Sequence, residues 1–335
     1  ILNIDHPDIE EFIASKSNES LLQNFNISVG ISDEFMNVLE QHENWHFIHP
    51  NSKQILKTIN AKKLWNLILE NAWGTGDPGL IFLDTINDKN PTPGIGKIES
   101  TNPCGEVPLL PFESCNLGSI NLSKLVKQKT IDWKLLEQIV NTATRFLDNV
   151  IEMNQYNIPE IKTMVTGNRK IGLGVMGWAE LLIRLEIPYD SEKAVMLAGQ
   201  LMAFINQKSK EASMQLATKR GSFPNWIKSI YYPDTPIRNA TVTSIAPTGT
   251  ISIVADTSAS IEPLFGLAYQ RHHVLNDESL LSVHTFFIDY LKKNNLYSKK
   301  ILEQVMREGI ITHVKELPQK FKDIFKTALD ISPIW

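Results

Sequence analysis

Short β-rich runs and longer helix-patterned runs take turns along this sequence, and nothing else narrows its possible folds so far. Strands separated by helices cannot be joined by tight hairpin turns, so they pair in parallel and the chain is expected to be α/β. Strand patterns fall at residues 25–29, closed by Gly30, at 80–83, which reads as buried, and at 241–245 and 251–254 around a turn. Helix patterns fall at 7–16, from Ser32 onwards, at 62–73 with a stop at Gly74, and after Asp190 as far as Gly221. The clearest helix spans 133–153 behind Asp132 as N-cap. There Leu136, Ile139, Val140, Ala143, Phe146, Leu147, Val150 and Ile151 make one apolar stripe.

With 335 residues, 42% hydrophobic and 21% charged, the composition is that of an ordinary globular enzyme. A formal net charge of −4 leaves no basic footprint for a nucleic-acid backbone, so direct DNA or RNA binding is not expected. No run of ~18 apolar residues occurs, and acids stand near the N-terminus where a secretory signal would be basic and then apolar. The expectation is a cytoplasmic protein that does not enter a membrane. Two cysteines make no disulfide scaffold, and the Asn-x-Ser/Thr triplets at Asn18, Asn26, Asn121 and Asn239 are then chance matches. Ile1 to Asp5 alternates like a strand already under way, and Trp335 ends the chain on an aromatic with nothing after it to bury it. Both ends are therefore expected to be interior points of a longer protein.

Gly172, Gly174 and Gly177 match G-x-G-x-x-G, the glycine pattern of dinucleotide-binding turns, with Asp190 downstream as a ribose partner. That fingerprint needs a hydrophobic strand running into its first glycine. Here Thr166, Gly167, Asn168, Arg169 and Lys170 precede it, with only Ile171 apolar. Asp190, after Pro188, also suits a helix N-cap. A nicotinamide-dependent oxidoreductase is the enzyme alternative at this site, and a close-packed strand-to-helix corner is the plainer reading.

Asn102, Cys104 and Glu106 place an amide, a thiol and a carboxylate two residues apart. On an extended segment such residues share a face, so all three can enter one pocket. The carboxylate can take a proton, the amide can orient a hydroxyl and the thiol can do the reactive step. A buried structural cysteine fits the same residues. Cys115 follows beyond Pro108 and Pro111, and two cysteines this close suggest paired redox work. No zinc site is expected, because His272 and His273 supply no partner pattern at ligand spacing. Pro247, Thr248, Gly249, Thr250, Ile251 and Ser252 form a hydroxyl-rich turn. Such a turn can hold phosphate through backbone N–H groups without a lysine, or be no more than a polar hairpin.

Taken together, these segments resemble the large catalytic subunit of the ribonucleotide reductases, most closely the adenosylcobalamin-dependent class II enzymes. The matching stretches are residues 3–9, 25–29, 101–106, 113–122, 167–178 and 246–252 with Ile261, Glu262 and Pro263, in the family's order. Their joint occurrence sets the plainer separate readings aside. The resemblance implies part of a ten-stranded α/β barrel with peripheral helices, residues 1–335 being a single catalytic-barrel domain incomplete at both ends. It implies reduction of ribonucleotides to 2′-deoxyribonucleotides by a thiyl radical, the supply step for DNA replication.

The same resemblance assigns the radical to Cys104, deprotonation of the 3′-hydroxyl to Glu106 and the holding of substrate hydroxyls to Asn102. Cys115 corresponds to one of the two thiols that deliver electrons. Cys104, the only other cysteine, is already the radical carrier, and the resemblance places the second thiol on an early barrel strand upstream of the segment matching Ile1. Substrate phosphates fall to Pro247, Thr248, Gly249, Thr250, Ile251 and Ser252. The implied cofactors are adenosylcobalamin and an external dithiol reductant such as thioredoxin, with no separate metal ion. The implied partners are nucleotide effectors bound N-terminal to this chain and a second copy in a homodimer. A non-catalytic fragment is the remaining alternative.

Overall fold

A computed structural model describes residues 1–17, 22, 24–274 and 278–335, with side chains for all of these except 270–282. The Asn18 triplet and the side chains of His272 and His273 lie outside the described residues. Two compact units divide the chain. The first comprises Ile1–Cys115, Gln155–Lys170 and Ser222–Pro236, and the second Asn116–Asn154, Ile171–Gly221 and Ile237–Trp335.

In the first unit, Leu2–Asn3, Ser28–Ile31 and Gly79–Phe82 form a parallel three-stranded sheet, with Val29 opposite both Leu2 and Leu80. Parallel neighbours need crossovers, and the helices Ile9–Ala14 and Ala61–Thr75 lie in them. Ile9, Ile13, Phe35, Leu64 and Ile68 join Val29 and Ile31 in one apolar core. Ser32 caps the helix Asp33–Glu40 by accepting from the Phe35 N–H at 3.1 Å.

Three expectations shift here. Gly30 lies inside its strand rather than closing it, because a Cβ there would sit 2.7 Å from Leu83 Cδ1; the glycine makes room for the neighbour. The helix expected to stop at Gly74 continues to Thr75 and ends on Gly76 at φ 83°, a left-handed cap that suits glycine. The run at 80–83 is only half-buried, with Phe82 40% exposed and Leu83 opening the next helix. An apolar run does not specify which neighbour covers it.

In the second unit, Asn116–Asn121 pairs in parallel with Ile171–Met176, from Asn116 opposite Ile171 to Asn121 opposite Met176. Helix Trp133–Met153 forms as its periodicity dictates, and Asp132 caps it through Leu135 N–H at 3.0 Å. Leu136, Val140, Leu147 and Ile151 are buried, whereas Phe146 from the same stripe is 64% exposed. This helix packs against Glu192–Arg220, with Trp133 and Phe204 edge to face at 5.0 Å. Buried Asp148 is held there by Arg220 Nη1 at 3.2 Å and Asn239 Nδ2 at 3.0 Å. A further core gathers Leu264, Phe287, Leu291, Phe321 and Phe325 beside Ala179 and Ile183 of the helix Trp178–Leu185.

Asp190 is not the cap of the long helix. Ser191 accepts from Ala194 N–H at 3.2 Å, and Asp190 pairs with Lys326 at 2.5 Å instead. The strand expected at 241–245 is reduced to a single parallel bridge between Leu173 and Thr243. Residues 251–254 are not a strand either: Gly249–Val254 is a short helix. Thr248 at φ 55° turns the chain, and Ser252 N–H returns to Thr248 O at 2.9 Å. Ile251, Ile253 and Val254 are exposed, so their β-branched side chains have no pleated surface to pack on and propensity yields. Mixed helices and parallel strands bear out the α/β class.

Candidate active site

Cys104 stands at the tip of a hairpin. Ser100–Thr101 pairs antiparallel with Pro108–Leu109, and the loop between them is closed by Asn102 N–H to Val107 O at 3.1 Å. Gly105 N–H donates to Asn102 O at 3.0 Å, which makes residues 102–105 a β-turn with Pro103 and Cys104 as its central pair. Gly105, at φ 88°, leads the chain out through the left-handed region. The expected extended segment with three side chains on one face is therefore replaced by a turn. Hydrogen bonding across the loop, which the alternation argument ignores, is the cause.

The side chains accordingly divide their tasks. Asn102 Oδ1 accepts from Val107 N–H at 2.9 Å, so its oxygen fastens the loop and its Nδ2 is the group it can offer a hydroxyl. Asn26 Nδ2 donates to Pro103 O at 3.0 Å and holds the turn from outside. Cys104 is exposed and Glu106 is half-buried. Cys115, also half-buried, stands immediately before the strand Asn116–Asn121. Neither cysteine is in a disulfide.

Beneath this hairpin lies a charged group that sequence reasoning missed. Lys170 Nζ and Glu113 Oε2 pair at 2.7 Å with side chains 1% and 0% exposed. Asn168 Nδ2 donates to Glu113 Oε1 at 2.6 Å, and Asn225 Nδ2 to Asn168 Oδ1 at 2.8 Å. A Cβ on Gly167 would lie 2.6 Å from Asn225 Nδ2, so the glycine admits that amide. Residues 110–113 form a turn closed by Glu113 N–H to Leu110 O at 3.1 Å, with Phe112 at φ 61°. No periodicity marks Glu113 or Lys170. The available signal was the Leu-Pro-x-Glu turn pattern beside a cysteine.

The hydroxyl-rich turn belongs to the second unit. Pro247, Gly249, Thr250 and Ile251 are exposed, while Thr248 and Ser252 are buried. Thr248 Oγ1 accepts from Ser260 N–H at 2.7 Å and Ser252 Oγ donates to Gly249 O at 3.1 Å, so these two hydroxyls brace the turn from inside. No atom lies within 4 Å of a Cβ built on Gly249. Ser252 also lines a cavity of about 760 Å³ with Glu180, Thr257 and His284. Buried Glu180 accepts from Thr257 Oγ1 and stands 3.2 Å from His284 Nε2, a pair the sequence reading passed over.

The glycine pattern is a packing corner, as the plainer reading expected. Gly172 and Gly174 lie within the buried strand Ile171–Met176, not in a turn after it. A Cβ on Gly174 would sit 2.1 Å from Ser244 O, and one on Gly177 (φ 75°) 2.5 Å from Thr257 Oγ1. Protein backbone fills the space that a pyrophosphate would need beside Gly174.

The whole chain matches one family model, that of the ribonucleotide reductase barrel domain, over residues 1–236 and 232–335. The chain belongs to that family. It is similar to the vitamin B12-dependent ribonucleoside-diphosphate reductase of Thermoplasma acidophilum, at 51% identity over 100% of this chain and 44% of the relative. It is similar to the protein of the same name from Mycobacterium tuberculosis, at 45% identity over 100% of this chain and 48% of the relative. Among solved structures it resembles the Actinobacillus ureae class Id ribonucleotide reductase alpha subunit. There the TM-score is 0.77 and the identity 25%, over 97% of this chain and 58% of that one. The chain thus spans about half the length of the curated relatives it matches. Among the described residues no helix is long and apolar enough to cross a membrane.

Proposed function

We propose that the protein carrying this chain reduces ribonucleotides to 2′-deoxyribonucleotides by a thiyl-radical mechanism. The observation that carries the reading is 51% identity across the entire chain to a vitamin B12-dependent ribonucleoside-diphosphate reductase. The names of these relatives favour a ribonucleoside diphosphate as substrate and cobalamin as cofactor. In this reading residues 1–335 are a single catalytic-barrel domain of a longer cytoplasmic chain, and the family model, running through both compact units, supports it. Nucleotide effectors bound N-terminal to this chain and a homodimer complete the proposal.

Cobalamin as the source of the radical rests on the names of the relatives, and the one thiol carried by the turn at residues 102–105, Cys104, is the group it would act on. When bound, adenosylcobalamin would supply one-electron chemistry, and Cys104 Sγ would be the atom on which this chain carries the radical. The resulting thiyl removes the 3′-hydrogen of the ribose and later returns it. Glu106 takes the 3′-hydroxyl proton, and Asn102 Nδ2 donates to a substrate hydroxyl. As the 2′-hydroxyl leaves as water, two electrons come from a pair of thiols that includes Cys115, and an external dithiol such as thioredoxin reduces the resulting disulfide. Substrate phosphates lie on the exposed N–H groups around Gly249, Thr250 and Ile251, with Pro247 beside them and Thr248 and Ser252 as braces.

The test is to incubate the protein with a ribonucleoside diphosphate, adenosylcobalamin and a dithiol, and to look for the 2′-deoxynucleotide by chromatography. Absence of product with all four nucleobases would overturn the reading. A substitution tests the phosphate turn. Gly249→Val should raise KM about 10-fold, the equivalent of ~1.4 kcal/mol of lost binding, with the melting temperature nearly unchanged because the new side chain meets open space. An unchanged KM removes the phosphates from this turn.

A further inference from the structure

The Glu113–Lys170 pair is an unusual thing to bury. Taking two charges out of water costs as much as their attraction returns, and an apolar pair of the same volume is commonly as stable. What an apolar pair could not do is bind backbone. Lys170 Nζ donates to Pro108 O at 3.3 Å, and Glu113 Oε2 accepts from Leu110 N–H at 2.8 Å. Those two groups lie on either side of Leu109, in the strand Pro108–Leu109 that closes the Cys104 hairpin and just after it. Each strand of that hairpin is two residues long, too short to hold a loop by its own ladder. Asn168 and Asn225 brace the pair in turn, and Cys115 follows Glu113 by two positions.

We propose that Glu113 and Lys170 are positioning residues for Cys104: their buried pair clamps the strand after the thiol's loop on either side of Leu109 and so sets where the thiol stands. The proposal rests on the function proposed above for its kinetic consequence, and on geometry alone for its effect on the thiol. It predicts that the pair matters for what Cys104 does more than for whether the chain folds.

The informative variant is the double substitution Lys170→Met with Glu113→Gln, in the protein at its natural length. Either single change strands one buried charge and can cost the fold itself. The double leaves none, and glutamine keeps an acceptor for Leu110. A folded double variant should lose at least ~30-fold in kcat with KM within about threefold, since a loop displaced by ~1 Å misplaces a reacting atom without weakening ground-state binding. Its Cys104 should also react with iodoacetamide at a rate at least ~3-fold different from the parent, because access to the thiol follows the loop. Parental kcat together with a parental alkylation rate in a folded double variant would show the pair to be structural only. If the parent makes no deoxynucleotide while the alkylation rate still shifts, the functional reading fails and the positioning role stands. Should the double variant not fold, hydrogen exchange on the unsubstituted protein decides. The Leu110 N–H should exchange as slowly as core strand amides, and exchange at the rate of an exposed loop overturns the clamp.

Discussion

Cys104→Ser should bind a ribonucleoside diphosphate with affinity within about threefold of the parent and form deoxynucleotide at least ~10³-fold more slowly. Serine keeps the turn, since Asn102 O, Val107 and Gly105 make their bonds through backbone and the Asn102 side chain. What changes is one atom, from sulfur, which can give up a hydrogen atom, to oxygen, which does so far less readily. Nucleotide affinity by calorimetry and product by chromatography separate the two effects. Substantial turnover by the serine variant would remove the radical from Cys104, and lost affinity would mean that the hairpin had moved.

Gly174→Ala should be the most damaging small substitution in the second unit. Its Cβ would fall 2.1 Å from Ser244 O, a backbone atom that cannot rotate away, so the strand Ile171–Met176 and the segment at 244 must separate. The expected loss is ~3 kcal/mol or more, a fall in melting temperature of roughly 4 °C or more for a chain of this size. Gly199 provides the contrast: it lies in the helix Glu192–Arg220 with nothing within 4 Å, so Gly199→Ala should gain about 0.5–1 kcal/mol. Thermal melts of the two variants check the pair. Equal melting temperatures would show that the strand and the segment at 244 do not approach as described.

Helix Trp133–Met153 was legible because a long apolar stripe and a capping aspartate agree, and local signals suffice where they agree. The chemistry-bearing residues were legible as types, but their backbone was not. Asn102-Pro103-Cys104-Gly105 carries asparagine, proline and glycine at the first, second and fourth turn positions, a pattern that outweighs alternation. Residues 251–254 looked like a strand because three are β-branched, yet tertiary bonds through Thr248 and Ser260 wound them into a helix. Glu113 and Lys170 were invisible for a different reason. A charged residue is by default a surface residue, and only the partner brought from a distant segment makes its burial tolerable. The thiol hairpin and the hydroxyl-rich turn lie in different units, and no local pattern in either announces the other.

The parallel pairing of Asn116–Asn121 with Ile171–Met176 carries a cost in time. During synthesis the first strand leaves the ribosome ~55 residues ahead of its partner, which at ~5–20 residues per second is a wait of roughly 3 to 11 s. Through that interval its edge is open and the stripe of Leu136, Val140 and Leu147 has no strand pair to cover. A nascent chain stalled when only the first strand has left the ribosome should therefore recruit chaperones more strongly than one stalled after Met176 has also left it.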